Sequence, residues 1–95
     1  MPTDRTADAR RAVELVRDLF QVEAEGRTMG LLDELDRAAE LEVRAHRLVR
    51  SLVGDARADG SPWVGIGRRL WRYVPGRGLV KGVTRQAAHA RFADD

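Results

Sequence analysis

Apolar residues recur along this chain in two long stretches at three- and four-residue spacing, the period of one face of an α-helix. In the first, Ala9, Ala12, Val13, Val16, Leu19 and Phe20 form a stripe that fades after Val22. It predicts a helix running from about Ala9, after a polar, frayed start over residues 1–8 in which Thr3, Asp4 or Thr6 supplies the cap. Gly26 suits the left-handed conformation that follows a helix C-terminus. After a short connection, Arg27 to Gly30, the second stretch begins near Leu31. It continues through Leu35, Ala38, Ala39, Leu41, Ala45, Leu48, Val49, Leu52, Val53 and Ala56, with charged residues between, Glu40 and Arg44 among them at the favourable i, i+4 spacing. Gly54 costs about 1 kcal/mol relative to Ala inside a helix, so this long helix either tolerates it or bends there. Two stripes joined by so short a connection predict an antiparallel helical hairpin. They also leave apolar surface to be met by the C-terminal region, a second copy of the chain, or both.

The pattern then shortens. In Asp59-Gly60-Ser61-Pro62, glycine fits the position after a helix, serine a cap, and proline the first turn of a third helix. Trp63, Ile66 and Leu70 follow at i, i+3 and i+7 on one face. From Trp71 to Lys81, two β-prone runs flank Pro75-Gly76, with proline and glycine placed as in a type II turn, so a small β-hairpin or ordered loop is expected. Thr84 reads as the N-cap of a last helix starting at Arg85, in which Ala87, Ala88 and Ala90 favour helix and keep it slim. The fold class predicted is mainly all-α. An N-terminal helical hairpin over residues 1–59, for scaffolding and dimerisation, precedes a C-terminal helix-turn-helix over 60–95 with the small β-element inserted between its last two helices.

Charge adds direction to this picture. Residues 1–60 carry 10 Arg against 13 Asp and Glu, a balance of −3, whereas residues 61–95 carry 7 Arg and Lys against 2 Asp, a balance of +5. Both of those acids are terminal, so no acidic side chain occurs from Ser61 to Ala93. That is the charge distribution a polyanion-facing surface needs, although a merely solvated basic face would share it. The chain has no cysteine, no apolar leader and no run of about 20 apolar residues, so a soluble cytoplasmic protein without membrane contact is expected.

Candidate catalytic chemistry is sparse. His46 lies one turn from Glu42 and from Arg50, and His89 is the only other histidine, too few ligands for a metal site. Asp33 with Asp36, and Glu40 with Glu42, read as a solvated helix face. Gly65-Ile66-Gly67 begins like a dinucleotide fingerprint, but Leu70 stands where the third glycine belongs and no strand precedes it. No enzyme, cofactor or small-molecule substrate is therefore expected.

Two segments carry a resemblance. Ala56 to Leu70, containing Trp63, Ile66, Gly67 and Leu70, and Gly82 to Phe92, containing Gly82-Val83-Thr84-Arg85-Gln86-Ala87-Ala88 and Arg91-Phe92, together resemble small bacterial helix-turn-helix DNA-binding domains related to the last DNA-binding region of sigma factors. In that family a Trp-x-x-Ile-Gly-x-x-Leu helix is followed at once by Gly-Val-Ser/Thr-Arg-Gln-Ala-Ala. Here Trp71 to Lys81 intervenes, so the turn carries an insertion. The resemblance implies a core of Trp63, Ile66, Leu70, Val83, Ala87 and Phe92, with Thr84, Arg85, Gln86 and His89 facing DNA and Arg91 nearer its backbone. On the insertion, Arg72, Arg77 and Lys81 either grip phosphate or enter a minor groove, or else Trp71, Tyr73, Leu79 and Val80 extend the core and leave the cations solvated. Arg68 joins the basic set. The function expected is sequence-specific binding of double-stranded DNA by a homodimeric transcriptional regulator, because arginine and glutamine match guanine and adenine edges and paired half-sites double the contacts. The alternative is a protein-interaction or phage-type assembly module with the same shape and no base readout.

Overall fold

Local spacing accounts for most of the elements in the computed structural model, which describes residues 4–93. Helix α1 (Asp4–Glu25) and helix α2 (Leu31–Ala58) are joined by residues 26–30, with Gly26 at φ +71°. Thr3, a candidate cap, lies outside the described residues. The helix nevertheless starts well before Ala9, with Thr6 inside it rather than capping it. Long-range contacts explain the difference: Arg5 donates to the Ser51 hydroxyl at 2.8 and 3.2 Å, and Asp8 is buried against two arginines of α2. Asp4 in the first turn also complements the helix dipole. Gly54 does not break α2, which continues through it to Ala58.

The chain divides into two compact units, Met1–Ser51 and Leu52–Asp95. In the first, α1 and the first part of α2 run antiparallel, since Arg5 meets Ser51, Asp8 meets Arg44 and Arg47, Arg11 meets Glu40, and Asp18 meets Arg37. The seam is largely ionic. Arg11 bonds both Glu40 oxygens, at 2.9 and 3.2 Å, and Arg44 donates to the same carboxylate at 2.7 Å while also reaching Asp8 at 3.0 Å. These bonds, from Arg11 first and Arg44 second, hold the Glu40 carboxyl down at about 2. Leu15 is fully buried within the seam, whereas Val13, Val16 and Phe20, read from the sequence as part of one packing stripe, are each more than half exposed.

The second unit contains the last turns of α2, helix α3 (Trp63–Gly67), strands β1 (Trp71–Val74) and β2 (Gly78–Lys81), and helix α4 (Arg85–Phe92). Helix α2 ends as its sequence implies: the Ser61 N–H returns to Ala56 C=O and the Gly60 N–H to Arg57 C=O, with Gly60 at φ +93°, which is a Schellman closure. The start of α3 differs from expectation. Pro62 stays extended at φ −74°, ψ 154° and occupies the cap position itself, with no side-chain acceptor, so Ser61 does not cap. The helix is short, and Leu70 lies beyond its end while still reaching the core.

That core comprises Val53, Ile66, Leu70, Ala88 and Phe92, with Ala56, Trp63 and Val83 packed against it. Ala88 takes the place expected for Ala87, because it lies four residues before Phe92 on the same face of α4, while Ala87 points outward. The inserted segment is an antiparallel hairpin in which Trp71 pairs with Lys81, Arg72 with Val80, Tyr73 with Leu79 and Val74 with Gly78. Its turn is type II, as Pro75-Gly76 predicts: Arg77 N–H donates to Val74 C=O at 2.9 Å, and Gly76 has φ +83°. The hairpin does not extend the core through Trp71, Tyr73 and Leu79, which remain more than half exposed. The pleat places those three and Lys81 on one face, and Val74, Gly78 and Val80 on the other face are half-buried. Among the described residues, no helix is long and apolar enough to cross a membrane.

Candidate nucleic-acid interface

Helix α4 is anchored at its start by Thr84, whose backbone is extended and whose hydroxyl oxygen accepts the Ala87 N–H at 3.1 Å. This settles one orphan donor of the first turn and sets the phase of the helix. With Ala88 and Phe92 turned inward, Gln86, Ala87 and Ala90 point outward, flanked by Arg85 and His89 on one side and Arg91 on the other. The outward centre is slim, so the α4 backbone can come close to another surface while longer side chains reach past it.

The position of α4 depends on how the insertion leaves and re-enters the motif. The Gly82 N–H donates to Leu70 C=O at 2.6 Å, and the Val83 N–H donates to Gly67 C=O at 2.8 Å. These two bonds close the neck of the hairpin, so the chain after Lys81 resumes where the chain before Trp71 stopped. Helices α3 and α4 pack directly as a result. The approach is so close at Gly67 that a Cβ there would lie 2.5 Å from the Val83 carbonyl oxygen.

Arg85, Gln86 and His89 line an open depression of about 410 Å³ together with Trp63. The His89 ring meets Trp63 edge-on, with centroids 5.3 Å apart and planes at 72°. The Arg57 guanidinium lies over the Trp63 ring at 4.9 Å while donating to Ser61 C=O at 3.0 Å. Trp63 is thus a platform held from α2 and facing the same depression as the polar residues of α4. Its part in this surface was not visible in the sequence, where its spacing with Ile66 marked it only as core.

The other predicted contacts are placed differently. Arg91 donates to Trp71 C=O at 3.5 Å and lies over the Phe92 ring, and Arg72 donates to Gly82 C=O at 3.3 Å, so both arginines brace the hairpin neck. Arg77 is exposed at the hairpin tip, about 13 Å beyond the neck if each strand residue advances about 3.3 Å. Lys81 shares a hairpin face with Trp71, and exposed Arg68 follows α3, next to Arg69, which donates to Gly65 C=O at 3.2 Å. One group is therefore gathered at the depression and a second, looser group surrounds the hairpin. Among the described residues, no three His, Asp or Glu side chains stand together as a metal site. Comparison with family models, with curated proteins and with solved structures finds no match.

Proposed function

We propose that this protein binds double-stranded DNA in a sequence-specific manner, with α4 entering the major groove. The observation that carries the reading is the closed hairpin neck, which keeps α3 and α4 packed as a helix-turn-helix despite the insertion and leaves Arg85, Gln86 and His89 exposed on one surface. The acid-free run from Ser61 to Ala93 supports it, since phosphate contacts gain from counterion release. Arg85 and Gln86 read base edges, Thr84 and Arg91 sit nearest the backbone, and His89 contributes from its place on Trp63. Arg68, Arg72, Arg77 and Lys81 extend the positive surface toward neighbouring phosphates. In this reading the protein is a homodimeric transcriptional regulator of the bacterial cytoplasm.

The test is a selection of bound duplexes from a random pool, followed by titration of the selected site with the parent, Arg85→Ala and Gln86→Ala. Each substitution is expected to weaken specific binding by about 10- to 100-fold, from about 1–3 kcal/mol per base contact, with much smaller losses on random duplex. Equal binding of both variants to specific and random DNA refutes the assignment. The exposed Trp71, Tyr73 and Leu79 favour a second reading, a protein-interaction module. Absence of duplex affinity even at low salt would select it.

A further inference from the structure

We infer that a second copy of this chain packs against one apolar face of the α1–α2 hairpin, forming a four-helix bundle. This deepens the homodimer named in the proposed function and needs no DNA. The face follows from the seam. On α1, turning in one rotational sense away from Asp8, Leu15 and Val22 leads through half-buried Ala12 and Leu19 to exposed Val16, Phe20 and Val13. On α2, turning in the same sense away from Arg44 leads through half-buried Leu48 and Leu41 to Ala45, Ala38 and Val49. Because the helices run antiparallel, equal rotations bring both stripes to the same side.

The result is a continuous surface floored by Ala12, Leu19, Leu41 and Leu48. Its exposed members are far from covered: Val13 and Phe20 are 58% exposed, Val16 52% and Val49 37%. The opposite side of the hairpin carries Arg10, Glu14, Arg17 and Gln21 on α1, and Asp36 and Arg47 with exposed Leu32 and Val43 on α2. The first side is thus the more apolar of the two, the arrangement of a helix pair that packs in a larger bundle.

Area selects the occupant. Helix α1 has 22 residues, hence a length of about 33 Å, and two helices side by side present a face about 20 Å wide. Pairing that face with its own copy buries about 1,300 Å² in total, inside the range of about 1,200–2,000 Å² for stable specific interfaces. A two-fold axis makes the match self-complementary, since the same apolar strip supplies both sides. A nucleic acid would meet Glu23, Glu34 and Glu42 along this strip, acids that repel its phosphates.

The experiment is sedimentation equilibrium of the full chain without DNA, over about 1–100 µM, with helicity followed by circular dichroism. The parent is expected to have twice its chain mass of 10.6 kDa. Phe20→Glu and Val16→Glu are expected to shift the dimer constant by at least about 100-fold, and Val43→Glu, similarly exposed on the opposite side, by less than about threefold. If the first two variants lose helicity, dilution of the parent must lose helicity and dimer mass in parallel. A monomeric parent at 100 µM overturns the inference, as do dimers untouched by both substitutions, or unfolded variants beside a parent whose helicity ignores dilution. A monomer that still binds its selected duplex would sink this inference alone, and a dimer without DNA affinity would sink the DNA reading alone.

Discussion

Gly67→Ala tests the close packing on which the candidate interface depends. The added methyl would sit 2.5 Å from the Val83 carbonyl oxygen and 3.3 Å from that of Thr84. An ordinary contact needs roughly 0.9 Å more, and the atoms in the way are backbone, which cannot rotate aside. Making room separates α3 from the entry to α4 and loosens the two neck bonds, Val83 N–H to Gly67 and Gly82 N–H to Leu70. Overpacking of this kind costs about 1–3 kcal/mol, and weakening one or two hydrogen bonds adds about 1 kcal/mol. Against this stands a gain of about 1 kcal/mol from replacing glycine with alanine inside a helix. The net expectation is a loss of about 1–3 kcal/mol, which for a chain of this size lowers the melting temperature by roughly 5–20 °C.

Gly65→Ala is the internal control. It lies in the same short helix, yet its added methyl meets only Pro62 Cγ, at 3.8 Å, an ordinary contact. It should leave stability unchanged or raise it by up to about 1 kcal/mol. Thermal unfolding of the two variants, followed at the tryptophans and by circular dichroism, separates steric clash from general helix propensity. If Gly67→Ala melts with Gly65→Ala and keeps the parent's duplex affinity, α3 and α4 are not packed as described, and the helix-turn-helix argument fails with them.

Two further predictions concern the N-terminal hairpin. Asp8→Asn removes the shared partner of Arg44 and Arg47, and because the carboxylate is buried but both arginines are partly exposed, the expected loss is about 1–3 kcal/mol; chemical denaturation that shows no change would mean the pairing contributes nothing. The Glu40 carboxyl is lowered from 4.5 to about 2 by Arg11 and Arg44, so its contribution is fully present above pH 4.5 and is lost as pH falls through about 2. Stability measured across that window should decline in the parent, and the decline should be shallower in Glu40→Gln.

Much of the secondary structure was legible because its causes are local. Gly26 and Gly60 end their helices by adopting positive φ, Thr84 caps α4 through a hydroxyl three residues from its donor, and Pro75-Gly76 makes its turn from two adjacent dihedral preferences. The misreadings arose where a distant partner intervened. Asp8 looked like part of a frayed terminus until Arg44 and Arg47, 36 and 39 positions later, provided its counter-charges. Val13, Val16 and Phe20 looked like the packing stripe, but the charged residues beside them form the seam, and hydropathy alone cannot register a salt bridge between two helices.

The eleven residues from Trp71 to Lys81 divide the two sources of information most clearly. Composition and turn chemistry were enough to expect a β-hairpin, since a strand pair joined by a type II turn depends on residues a few positions apart. They could not say whether α4 still reaches α3. That was decided by two backbone hydrogen bonds spanning 12 and 16 positions and by the missing side chain of Gly67, whose value exists only once Val83 is brought against it. Short-range sterics and capping determined the elements; long-range hydrogen bonds, buried charge and contact distance decided how the candidate reading helix is presented.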